Sequence, residues 1–232
     1  MTFDGPRFPD FSAPSTAQRL KEARVVFDLA LAPLSTPKLL SAPRGDGRAM
    51  FVLPGFGAGD RSLIPLRRFL AGRSHDARGW GIGRNTGDVE GLLERFVPKL
   101  ERRVDETGRP ANLVGWSLGG VVAREATRER PELVHQVATF GTPLFGPRAS
   151  AAARVFSPAQ IEHIEGLIAE RARQPVPRPV MAIHSRNDGI VDWRACIDET
   201  TPFALNLEVS ATHFGMGLSP DVMVHLARWF AA

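Results

Sequence analysis

The chain has 232 residues, 43% of them hydrophobic, which suits one large domain with a sizeable core better than two small ones. Its net charge of +4 and pI near 10.1 come from arginines scattered among acids, so no basic stripe points to nucleic acid. The single Cys196 excludes an internal disulfide and a cysteine metal cluster, and is expected to be a small buried hydrophobe.

Residues 1–48 are rich in proline and arginine. They contain one amphipathic pattern from Ser15, in which Leu20, Phe27 and Leu31 recur at helical spacing, and this helix is expected to pack on the domain. The opening "MTFDGPRFPDFSAPS" has no cationic segment followed by an apolar run, and no window approaches about 18 consecutive apolar residues. A cytoplasmic protein without stable membrane insertion is the expectation.

From Ala49 onward short apolar runs alternate with amphipathic segments. "AMFVLP" reads as a buried strand and "DRSLIPLRRFLAG" as a helix with Leu63, Leu66 and Leu70 inward. "ARGWGIG" is a further strand. Val89, Leu92, Leu93, Phe96, Val97, Leu100 and Val104 then mark a helix that Pro98 should kink. "ANLVGW" is a strand, "LGGVVAREATRER" a helix and "LVHQVATFG" a strand. "SPAQIEHIEGLIAERARQ" carries a capping box at Ser157 and Gln160, with Ile161, Ile164, Leu167 and Ile168 on one face. "RPVMAIHS" is a strand, "FALNLEVS" a strand near the sheet edge, and "SPDVMVHLARWF" a closing helix. This alternation predicts an α/β fold with a mostly parallel central sheet of about six strands and helices on both faces.

Parallel sheets bind ligands at the carboxyl ends of their strands. The residues there are Pro54 to Gly57, Ser117, Gly141 and Thr142, Arg186 to Asp188, and Thr212 and His213. A serine hydroxyl needs a base, an acid to orient that base, and donors for the oxyanion. Ser117, His213 and Asp188 supply the side chains. Gly115 and Gly119 leave room for a strained turn at Ser117. Asp192, four residues beyond Asp188, is the rival acid and could instead cap the next segment or bind an arginine. His184 and His225 read as core or surface histidines, and His75, His135 and His163 fall at the wrong places.

The segments "LPGFGAGD", "LVGWSLGGVVARE", "VATFGTPLFG", "SRNDGIVDW" and "SATHFGM" resemble the lipase and esterase branch of the α/β-hydrolase fold, from about Ala49 to the end. The order Ser, Asp, His is also that fold's order. The resemblance implies Ser117 as nucleophile, His213 as general base and Asp188 as its orienting acid, with an oxyanion hole from the backbone N–H groups of Phe56 and Leu118. No metal or organic cofactor is implied. Three features depart from the branch: Pro54-Gly55 stands where His-Gly is usual, Trp116, which would alter the pocket floor, stands where histidine is common, and the two antiparallel strands that usually open the fold are not evident before Ala49.

Residues 147–177 lie where this fold inserts its cap. They predict a small lid, or else an ordinary crossover helix, with Phe145, Phe156, Ile161 and Ile164 as acyl-pocket lining. The expected activity is hydrolysis of a small carboxylic ester through an acyl-enzyme. An acyltransferase or thioesterase using the same triad, and a non-catalytic ligand-binding homologue, remain as alternatives.

Overall fold

Strand β1 (Ala49–Leu53) is buried at every position, as an unbroken apolar run requires when both faces of a sheet are covered. Its side chains alternate between two clusters. Met50 and Val52 join Val114, Ala138, Phe140, Met181 and Ile183. Ala49, Phe51 and Leu53 join Leu113, Val134, Val137 and Val180 on the opposite face. The computed structural model describes residues 11–25, 36–171 and 174–231.

The other strands are β2 (Asp76–Gly79), β3 (Ala111–Trp116), β4 (Val134–Phe140), β5 (Val180–His184) and β6 (Leu205–Glu208). Their order is β2-β1-β3-β4-β5-β6 and every pairing is parallel. This is the α/β-hydrolase fold, with about six strands as expected.

The helices are α1 (Thr16–Leu20), α2 (Thr36–Leu40), α3 (Ile64–Gly72), α4 (Val89–Thr107), α5 (Leu118–Glu129), α6 (Pro158–Arg171) and α7 (Pro220–Phe230). Leu66 and Leu70 of α3, with Val222, Leu226 and Phe230 of α7, cover the first face. Leu92, Phe96 and Leu100 of α4, with Val122 and Ala126 of α5, cover the second. No helix of the described residues is long and apolar enough to cross a membrane.

Helix α4 runs continuously through Pro98, with Asp88 accepting from the Gly91 N–H at 3.1 Å and buried residues on both sides of the proline. Several local expectations are corrected. The stretch Asp60–Leu63 is a 3₁₀ turn, and the α-helix begins only at Ile64 with Pro65 in its first turn. Strand β2 starts earlier than "ARGWGIG", and Trp80 beyond it is buried with its ring N–H on Gly83 O at 2.9 Å. Phe203 precedes β6 in a turn with φ +61° and is fully exposed, and Leu205 is also exposed.

The N-terminal helix differs most. Helix α1 ends after a turn and passes into a 3₁₀ turn, Lys21–Arg24, while Leu20 is 73% exposed. Phe27 and Leu31 lie outside the described residues. The buried residue of this segment is polar: Glu22.

The topology also locates a crevice. From β1 the chain runs to β2 on one side, then returns to β3 on the other. Connections that leave in opposite directions open a gap beyond the strand ends, where the loops after β1 and β3 face each other.

Candidate active site

Strand β3 ends at Trp116 and α5 begins at Leu118, so Ser117 alone turns the chain. It has φ +53° and ψ −126°, a conformation that L-residues rarely adopt. The flanking glycines make this turn sterically feasible. A Cβ on Gly115 would lie 2.5 Å from Gly119 O and overlap the Gly120 backbone; one on Gly119 would lie 2.6 Å from Pro54 O and closer still to Leu53 O. The Ser117 N–H donates to Phe140 O at 2.9 Å, which pins the turn to β4.

The loop after β1 passes close by. A Cβ on Gly55 would meet the Ser117 Cβ at 3.1 Å, so this loop must approach the serine as bare backbone. Asn85, fully buried, holds it: its Nδ2 donates to Pro54 O at 2.8 Å, and its main chain exchanges hydrogen bonds of 2.8 Å with Gly57 and Ala58. The Pro54-Gly55 sequence is therefore oriented by an asparagine from the loop after β2. Phe56 and Leu118 both border the cavity beside Ser117, and among the described residues neither backbone N–H has a hydrogen-bond acceptor.

Asp188 follows β5 and His213 follows β6. Asp188 Oδ2 accepts from His213 Nδ1 at 2.7 Å, and both side chains are buried. Asp188 Oδ1 accepts from the N–H groups of Ile190 and Val191 at 2.8 and 2.7 Å, so the carboxylate is aimed by its own loop. With Nδ1 donating, the neutral ring carries its lone pair on Nε2. Burial pushes the His213 pKa down, but the charge and hydrogen bond of Asp188, with the charge of Glu22, outweigh it and raise the value above 6.5. The ring packs 5.5 Å from that of Trp116, next to Ser117.

The rival residues have other partners. Asp192 caps the turn Trp193–Cys196 by accepting from the Arg194 N–H at 3.1 Å and pairs with the Arg194 side chain. His184 stacks on Trp193 at 5.7 Å. His75 packs edge-on against Phe230. Burial lowers the pKa values of His75, His135, His184 and His225. The side chains of His163 and Leu167 lie outside the described residues. Cys196 is buried, and burial raises its thiol pKa.

A cavity of about 280 Å³ opens at Ser117. Phe156 and Ile164 line it as expected, together with Val121, Pro143, Ile168 and Phe56. Three expected pocket residues do not. Trp116 lies behind the serine against His213 and Phe214, because its side chain leaves β3 toward the first core cluster. Phe145 turns away to stack on Phe11 at 5.0 Å. Ile161, one turn before Ile164, is half-buried away from the cavity. The segment 147–177 supplies one wall through Pro147, Ser150, Phe156, Ile164, Ile168 and Arg171. Its capping box at Ser157 and Gln160 forms, with bonds of 2.8 and 3.3 Å.

Sequence reasoning missed Asn85, Glu22 and the polar end of the cavity, where Arg171 pairs with Glu125 at 2.8 Å. Glu22 accepts from backbone N–H groups of Gly189, His213 and Phe214. A capping box at Ser15 and Gln18 could have marked the helix start, but nothing in the spacing marks the next glutamate as buried.

A strained serine elbow on a six-stranded parallel sheet, with an acid and a histidine beyond later strands, defines the α/β-hydrolase class. The chain belongs to the alpha/beta hydrolase family, whose model matches residues 7–229. Two similar relatives are pimeloyl-(acyl-carrier protein) methyl ester esterases. That of Shewanella woodyi is 32% identical over 101 residues, 42% of this chain and 37% of that protein. That of Shewanella sp. strain MR-7 is 30% identical over 130 residues, 53% of this chain and 46% of that protein. The chain thus spans less than half the length of these curated relatives. Among solved structures, Aspergillus fumigatus lipase B superposes with a TM-score of 0.61 at 16% identity, covering 81% of this chain and 54% of that one. Mature Bacillus licheniformis lipase BlEst2 gives 0.58 at 15%, covering 80% and 92%. The thioesterase domain from the curacin biosynthetic pathway gives 0.53 at 15%, covering 82% and 93%. At these identities the likeness is one of fold.

Proposed function

We propose that this chain hydrolyses small carboxylic esters through a serine acyl-enzyme. The observation that carries the reading is the buried 2.7 Å contact of His213 with Asp188, beyond the same carboxyl end of the sheet as the strained Ser117. In this mechanism His213 Nε2 takes the Ser117 proton as Oγ attacks the ester carbonyl carbon. The Phe56 and Leu118 N–H groups hold the oxyanion, and Asp188 keeps the ring in the required tautomer. The imidazolium returns its proton to the departing alkoxide, leaving an alcohol and an acylated serine. A water then gives its proton to His213 and attacks the acyl carbon, and the imidazolium returns that proton to Ser117 Oγ as the acid is released.

The cavity suits a short or medium acyl group lying between Phe56, Phe156 and Ile164, with residues 147–177 as its outer wall. A methyl ester is the bond named for the Shewanella relatives, and it belongs to the class proposed here. Ser117→Ala is expected to abolish turnover of short p-nitrophenyl esters and labelling by a fluorophosphonate, with the fold unchanged. Undiminished hydrolysis by that variant would sink the assignment. Rapid labelling with slow hydrolysis would point instead to a thioesterase or acyltransferase.

A further inference from the structure

We propose that Glu22 is a positioning residue that ties the Asp188 loop to the His213 loop and thereby fixes the acid–base pair, a role that rests on the ester-hydrolase reading above. The residue is 9% exposed. Its Oε1 accepts from the Gly189 N–H at 2.7 Å and from the His213 N–H at 2.9 Å; its Oε2 accepts from the Phe214 N–H at 3.0 Å. A carboxylate removed from water needs donors in place of its hydration. Here the donors are the residue after Asp188, His213 itself, and the residue after His213.

A second contact is independent of these bonds. A Cβ on Gly189 would lie 2.6 Å from Gln18 O and 3.0 Å from the Arg19 Cα, so the acid loop touches the N-terminal segment backbone to backbone. The Ser15–Gln18 capping box fixes the start of that segment, with bonds of 2.8 and 3.3 Å. The loops that carry Asp188 and His213 follow β5 and β6, the last two strands toward one edge of the sheet. One shared acceptor oxygen makes the two loops move as a unit.

Glu22 also acts through charge. Burial pushes the His213 pKa down, while Asp188 and Glu22, the charged groups acting on the ring, push it up. Removing the Glu22 charge should therefore let His213 titrate at lower pH.

The experiment compares wild type, Glu22→Gln and Glu22→Asp by melting temperature, by kcat and KM on p-nitrophenyl butyrate, and by NMR titration of His213 in histidine-labelled protein. Glu22→Gln is expected to lower kcat about 10- to 100-fold, as a displaced catalytic group does, with KM within about twofold. Its His213 should titrate below the wild-type pH. Glu22→Asp keeps the charge but retracts it by one methylene, so kcat should fall less and the titration should stay nearer wild type. Wild-type kcat with an unmoved titration in folded Glu22→Gln overturns the proposal, as does a lower melting temperature alone. If Glu22→Gln does not fold, a folded Glu22→Asp with wild-type kcat overturns it. The NMR titration needs no turnover, so it decides the Glu22 role even if the Ser117 assignment fails.

Discussion

The serine elbow and the acid–base loops are built by different means. At the elbow the sequence signal lies within a few residues: Gly115 and Gly119 clear space for the neighbouring backbone, and the strained φ of Ser117 is set by the junction of β3 and α5. The acid–base pair is assembled across the chain, with Asp188 and His213 brought together beyond separate strands and both loops bonded to Glu22, 167 and 191 residues earlier. Local construction resists displacement because its backbone has no alternative. Long-range construction depends on partners that a distant change can remove.

With Ser117 itself left in place, the largest expected effect comes from the long-range side. Asp188→Asn keeps an acceptor for the Ile190 and Val191 N–H groups but turns an amide N–H₂ or a weaker acceptor toward His213 Nδ1. The ring should then favour the wrong tautomer, and kcat for short esters should fall about 10⁴-fold while the circular dichroism spectrum stays native. A loss below about tenfold would mean that another group orients the base.

On the local side, Gly119→Ala places a methyl against Pro54 O and Leu53 O, main-chain atoms with no freedom to swing away. The variant should lose roughly 2–4 kcal/mol in denaturant unfolding, and activity should fall with it because the elbow and the loop after β1 must separate. A variant as stable as wild type would show that the elbow relaxes, and the contrast between the two regions would collapse.

The same contrast explains what could be read from the sequence. β1 is an uninterrupted apolar run, β3, β4 and β5 are largely apolar, and the glycine spacing around Ser117 is a steric requirement written into five consecutive residues. Those features are local, so they are legible. Asp188 and His213 could be proposed from their places at strand ends, but their 2.7 Å contact is a tertiary fact. Glu22 and Asn85 carry no local signal, because a glutamate in a proline-rich segment and an asparagine in a turn usually face water. The sequence points Trp116 to the pocket through its place beside Ser117, and Phe145 and Ile161 through the lid reading of residues 147–177. A single step along β3 for Trp116, the turn after β4 for Phe145, and three residues along α6 for Ile161 are enough to aim them elsewhere.

The smallest expected effect is a displacement rather than a loss, and it separates His213 from His75, His135, His184 and His225. A general base must be neutral, so kcat/KM should rise with pH as that base loses its proton in the free enzyme. For His213, burial lowers the pKa but Asp188 and Glu22 raise it further, so the half-maximal point should lie above 6.5. For His75, His135, His184 and His225, burial prevails and the point would lie below 6.5. A pH–rate profile on a short p-nitrophenyl ester, corrected for the ionisation of the product, therefore distinguishes them by sign alone. A limb above 6.5 keeps the base on the loop clasped by Glu22. A limb below it would mean that burial outweighs Asp188 and Glu22 at the base, and the clasp by Glu22 would then act through position and not through charge.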